Sequence, residues 1–173
     1  MRRRIGSTSP FTRDSEAAGQ QPSWESDSEK TPATPRIAER LGIRPGDVVM
    51  HTGYRYLADG APIQLAHSYE PLAITGGTQV EYPEQGPVIG VVARMDFIGV
   101  VIDQFVEEVT TRPAMPEEAD ALELDRRGVR WVIEVERTYF AGQTAVETAD
   151  IVFSGDRYRL VYELPVDPWS PPD

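Results

Sequence analysis

The chain has 173 residues, enough for one domain with a real core, and its 28 acidic against 17 basic side chains leave a net charge of −11. So acidic a body is repelled by phosphate backbones, and the absence of cysteine removes thiol catalysis, disulfides and Cys-zinc sites. His51 and His67 have no third histidine beside them, which argues against a dedicated transition-metal site, although carboxylates alone could hold a hard cation.

Residues 1–22 read as an arm or linker, rich in Ser, Thr, Gln, Glu, Gly and Pro, with Arg2-Arg3-Arg4 as a solvated tail or a contact cluster. Phe11 and the polar stretch behind it could dock on the body. A first strand is predicted around Ser23–Glu29, then a short helix with Pro35 in its first turn, where a missing N–H costs nothing. Ala38 and Leu41 share one face of that helix, and Gly46 breaks it. Val48 through Ser68 forms a hairpin about Asp59-Gly60, Tyr69-Glu70-Pro71 ends the strand, and Pro71–Thr78 begins a loop. Pro87–Gly99 reads as a helix poor in helix formers. Gln104–Val109 is a strand, Pro116 opens a second short helix, and Val129 through Phe153 is a second hairpin about Ala141-Gly142-Gln143. The body spans 23–166, and 167–173 is a loose, proline-rich tail.

This order contains a duplication. Pro32, Pro35, Ala38 and Leu41 recur as Pro113, Pro116, Ala119 and Leu122, each 81 residues on (113 − 32 = 81, 122 − 41 = 81), and Trp24 aligns with Phe105. The expected fold is therefore α+β, a mainly antiparallel sheet built from two β-α-β-β halves, and two related halves commonly frame a cleft for a small molecule.

Strand alternation marks the polar residues that point inward. In Val129–Tyr139, Arg137 is the one charge among Val129, Trp131, Ile133, Val135 and Tyr139, and Glu147 shares a face with Ala149, Ile151 and Phe153. With the turn centred on Gly142, Arg137 and Glu147 should lie opposite each other, as a structural bridge or as the lining of a pocket. Tyr54 and Tyr56 share parity, and Gln64, Ala66 and Ser68 lie on the return strand; these are core aromatics, or a neutral lining suited to a sugar, nucleoside or aromatic metabolite. Glu107-Glu108 and Glu117-Glu118 read as solvated faces, the latter pair also favoured at a helix N-terminus. No phosphate loop, nucleophile elbow or Ser/His/Asp set is present.

Ile37-Ala38-Glu39-Arg40-Leu41-Gly42-Ile43, the run Leu57 to Pro71 (LADGAPIQLAHSYEP), Glu136-Arg137-Thr138-Tyr139, Val146-Glu147 and Gly155-Asp156-Arg157-Tyr158 together resemble the UTRA domain, the effector-binding domain of GntR-family regulators of the HutC type. The likeness spans about residues 9–165. It implies a chorismate-lyase-like fold, a metabolite pocket, no cofactor, a homodimer, and operator binding through an N-terminal winged helix-turn-helix absent from this chain. The chain then reads as an excised effector domain or a regulator trimmed to its sensor. Family pocket positions carry over to Phe11, Thr12, Ser68, Arg137, Glu147 and Phe153. Where many relatives place arginines before the Asp-Gly turn, this chain has Tyr54 and Tyr56, so a neutral or weakly charged effector is expected. Two alternatives stand beside this reading: a chorismate-lyase-like enzyme using Arg137 to hold a carboxylate and Glu147 as acid, and a ligand-independent dimerisation module. No apolar run approaches the roughly 20 residues that span a bilayer, and residues 1–20 lack a signal peptide's apolar stretch, which implies a cytoplasmic protein.

Overall fold

A computed structural model describes residues 19–125 and 130–162. Its frame is one six-stranded, wholly antiparallel sheet with four short helices: β1 (Pro22–Pro32), α1 (Pro35–Leu41), β2 (Val48–Ala58), β3 (Ala61–Pro71), α2 (Leu72–Thr75), α3 (Val91–Phe97), β4 (Gln104–Pro113), α4 (Pro116–Ala121), β5 (Trp131–Ala141) and β6 (Thr144–Ser154). The spatial order β1-β2-β3-β6-β5-β4 is a palindrome of the two halves, joined where β3 pairs with β6. The β-α-β-β duplication is thus present, but the halves share one continuous sheet rather than facing each other across a gap.

Local chemistry accounts for the elements. Thr34 caps α1 by accepting the Ile37 N–H, and Gly42 stops the helix in the left-handed region at φ 64, four residues earlier than Gly46. At α4 the carboxylate of Glu118 accepts the Met115 N–H at 2.8 Å and also takes a fork from Arg112. Glu118 is consequently buried, not solvated, whereas Glu117 is exposed as expected. Asp59-Gly60, both with positive φ, turn β2 into β3. Two expectations in the connecting segment change. Leu72–Thr75 closes a single helical turn where a loop was expected, and the helix predicted for Pro87–Gly99 is confined to Val91–Phe97, because Gly90 enters it at φ 86 and the prolines before it set other angles.

The helices divide the sheet into two environments. α1 packs Ala33, Ile37, Ala38 and Leu41 against Val49, Ala145 and Tyr69, while α4 packs Ala119 and Leu122 against Val132, Val152 and Leu65. The opposite face carries Ala66, Val135, Ala149, Ile151 and Phe153, covered by Tyr158 and Leu160 of the segment after β6. Toward the hairpin end, α3 adds Met95 beside Ile102 and Val146. Arg94 of α3 reaches this face as well, in a fully buried fork with Glu70, Nη1–Oε1 2.5 Å and Nη2–Oε2 2.9 Å.

Candidate functional site

Seven of the nine residues singled out in the sequence come together on the face opposite α1 and α4, and the register explains how. Tyr56 of β2 lies opposite Gln64 of β3, which lies opposite Phe153 of β6. Tyr54 is two residues back along β2, and its ring stacks on Tyr56 with centroids 5.4 Å apart. Ser68 lies opposite Ala149, which lies opposite Arg137 of β5, and Tyr139 lies opposite Glu147. Phe11 and Thr12 lie outside the described residues.

The expected Arg137–Glu147 pairing does not form. The turn is a two-residue one, Gly142-Gln143, and a bulge beside Tyr139 and Phe140 adds one residue to β6, so Arg137 faces Ala149 and Glu147 faces Tyr139. The two charges remain on one face as diagonal neighbours. Arg137 turns instead to the edge strand, where Glu107 is its cross-strand partner, and its Nε donates to Glu107 Oε1 at 2.5 Å. Glu107, expected to be solvated, has a side chain only 9% exposed; its other oxygen accepts the Tyr162 hydroxyl at 2.9 Å. The guanidinium also sits over the rings of Phe105 and Tyr139, 6.0 and 5.8 Å from their centroids. Burial disfavours its charge, yet Tyr139, Glu107 and Glu147 more than offset this and raise its pKa.

Glu147 is the unusual group. It is 2% exposed, and its Oε1 accepts the Ser68 hydroxyl at 2.6 Å, while Oε2 is buried with no hydrogen-bond partner among the described residues. Burial pushes its pKa up; the Ser68 hydrogen bond opposes this, nearby Glu70 adds to it, and Arg137 and Arg40 counter it, leaving a value of about 7. The contact from Ser68 to Glu147 crosses the seam between the halves. No pattern within either half announces it.

Several residues that sequence reasoning missed complete the surroundings. Glu84, in the connecting segment, accepts the Tyr54 hydroxyl and the Trp24 indole N–H, each at 3.0 Å. Tyr158 stacks on Phe153 at 4.2 Å between centroids. Glu107 could have been found, because it shares its face of β4 with Phe105; Glu84 and Tyr162 offered no such signal, being held by tertiary contact alone. An open hollow of about 370 Å³ bounded by Gly77, Thr78, Gln79, Glu81, Tyr82 and Gln85 lies in the segment that supplies Glu84, and none of the seven site residues lines it. On the helix side, His51 Nε2 and His67 Nδ1 approach to 3.0 Å, and among the described residues no three His, Cys, Asp or Glu side chains could hold a metal ion.

The UTRA domain model matches residues 17–159. A crystal structure of a GntR-family transcriptional regulator superposes with a TM-score of 0.87 at 44% identity, over 96% of this chain and 68% of that one. The effector domain of PhnF from Mycobacterium smegmatis matches at TM-score 0.73 and 18% identity, over 96% of this chain and all of that one. The C-terminal domain of the histidine utilization repressor from Pseudomonas syringae pv. tomato matches at 0.69 and 15%, over 84% and 100%. At those identities the last two speak for the fold alone. No curated protein sequence matches the chain. With a family match over most of its length and a 44% identical regulator sharing its fold, the chain belongs to the UTRA family, as an effector-binding domain of a GntR/HutC-type transcription regulator.

Proposed function

We propose that this domain receives its effector on the sheet face that carries Tyr54, Tyr56, Gln64, Ser68, Arg137, Glu147 and Phe153, with Phe11 and Thr12 as further candidate ligand contacts. The protein then acts in the cytoplasm as a homodimer, and meets operator DNA through a separate N-terminal winged helix-turn-helix. The observation behind this reading is Glu147: a carboxylate 2% exposed, held by Ser68, with its second oxygen unengaged among the described residues. A buried acceptor left unmatched costs roughly 1–3 kcal/mol, so it is retained where something other than stability requires it.

The segment after β6 supplies a way to couple binding to shape. Tyr158 and Leu160 cover the apolar end of the face, and Tyr162 holds the carboxylate that holds Arg137. An effector engaging Arg137 or Glu147 acts directly on this cover. By linkage it switches the regulator only if it binds the two arrangements with different affinity. Dimerisation is supported by two open sheet edges, β1 and β4, and by exposed Phe105, Val106, Val109 and Trp131 on or beside β4. Lyase chemistry is not favoured, because Arg137 is the one cation among the seven site residues and its charge is already partly offset by Glu107.

The test is a thermal-shift screen of the chain against metabolites, repeated with Ser68→Ala. A ligand at about 100 times its dissociation constant adds roughly 2.7 kcal/mol, a shift of several degrees at this size. The expected result is a shift that Ser68→Ala weakens. A ligand indifferent to Ser68→Ala and Glu147→Gln binds elsewhere and overturns the assignment. Silence from a folded protein across the panel favours a ligand-independent dimerisation module.

A further inference from the structure

We infer that the effector of this face is an organic cation, which presents a protonated nitrogen to Glu147 Oε2 and lays a flat or apolar body beside the Tyr54–Tyr56 ring stack. The inference rests on the effector-site reading above and adds the ligand's charge to it.

Four carboxylates and two guanidiniums meet on or beside this face. Two of the carboxylates are neutralised: Glu70 by the Arg94 fork and Glu107 by Arg137. Glu84 is held by a phenol and an indole, and Glu147 by one hydroxyl, with no cation bonded to either among the described residues. The local balance is therefore negative, and the surplus is deepest at Glu147. An anionic ligand would have to share the Arg137 guanidinium with Glu107, which already takes its Nε, and would then sit beside the buried Glu147. A cation avoids that repulsion. It fills the unengaged oxygen and compensates the surplus charge, and the rings of Tyr54 and Tyr56 favour it further.

Protonation supports the same conclusion. Glu147 is pushed up to about 7, so part of its population is neutral near neutrality, and pairing with a cation draws it to the ionised form. The charged and titratable groups around it are Glu70, Arg137, Tyr56 and Tyr139 from the sheet and Arg40 from behind it. Affinity for a cation consequently rises with pH through the neutral range, until the ligand loses its own proton.

The experiment uses the full chain with ¹³C-labelled glutamate carboxyls and three probes sharing one ring: tyramine, 4-hydroxyphenylacetamide and 4-hydroxyphenylacetate, with inorganic phosphate as a fourth. Millimolar titrations followed by NMR detect weak, class-level binding that a melting curve misses. Tyramine is expected to shift the Glu147 carboxyl saturably and the other three to bind far more weakly. Glu147→Gln, which keeps the shape and removes the charge, should weaken tyramine about ten- to hundredfold. If the phenylacetate or phosphate saturates with shifts centred on Glu107 and Glu147, the site stands and the cation assignment falls. If the neutral amide binds as well as tyramine, the assignment also falls. If no probe moves any glutamate of this face while the protein remains folded, the cation assignment and the effector-site reading fail together.

Discussion

The two halves of this domain have the same backbone plan and opposite chemistry. Trp24 and Phe105 are equivalent by sequence; Trp24 pairs with Tyr56 and Phe105 with Tyr139, which makes Tyr56 equivalent to Tyr139 and, two residues back, Tyr54 to Arg137. The next strands follow: Tyr56 pairs with Gln64 and Tyr139 with Glu147. Where the first half has a phenol and an amide, the second has a guanidinium and a carboxylate. Each half also directs the first of these donors to a carboxylate beyond the hairpin, Tyr54 to Glu84 and Arg137 to Glu107. The frame was kept, and charge gathered in the second half, across the seam from Ser68. A duplicated sheet can thus hold its register while one copy becomes the polar half of a site.

A second contrast lies between the two buried carboxylates of that face. Glu70 has Arg94; Glu147 has only Ser68. This contrast is the easiest to break. Replacing Arg94 with Ala strands Glu70 in the interior and should lower unfolding stability by about 3–5 kcal/mol, read as a fall in the urea midpoint, with much of the loss recovered in Glu70→Gln/Arg94→Met. Glu147→Gln should act in the opposite direction. A pKa raised to about 7 means that the folded state keeps a proton which the unfolded chain has already released. The cost of this group is absent in acid, grows between about pH 4.5 and 7, and is complete above 7. The variant should therefore gain about 3 kcal/mol over wild type at pH 8 and little at pH 4, with melting curves at both values as the check. A destabilised variant at pH 8 would mean that Glu147 is structural rather than poised.

Smaller effects sharpen the comparison between the halves. Tyr54→Phe removes a hydrogen bond to a carboxylate that keeps Trp24, and should cost about 1–2 kcal/mol in chemical denaturation. Arg137→Ala leaves Glu107 with only the Tyr162 hydroxyl and should cost more; equal losses would contradict the asymmetry. The helix starts differ in the same way. Thr34→Ala removes one cap from α1 for about 1 kcal/mol, whereas Glu118→Ala also breaks the Arg112 fork, leaving Arg112 with Glu134, and should exceed it.

Much of this was legible in the chain itself. Period-two alternation grouped Tyr54 with Tyr56, Gln64 with Ser68, and Glu147 with Phe153, and marked Arg137 as the inward charge of its strand, because parity survives any even error in register; the β3–β6 pairing put the groups on one face. The in-register prolines and Ala/Leu pairs of α1 and α4 carried the β-α-β-β repeat, because short helices and hairpins are set by neighbours in sequence. Partners were another matter. A two-residue turn and a one-residue bulge together moved Glu147 from Arg137 to Tyr139, and strand pairing, which sequence spacing does not specify, brought Glu107 from the edge to Arg137. The sequence by itself determined the six strands, α1 and α4, their order and most of the side chains that turn inward, all properties of local geometry. Only the tertiary structure decided which charges meet: the joining of β3 to β6 set Ser68 against Glu147, and the docking of α3 supplied Arg94 to Glu70 and nothing to Glu147. Pairing across a sheet and between layers depends on contacts far apart in the chain, and these left Glu147 Oε2 without a hydrogen bond among the described residues.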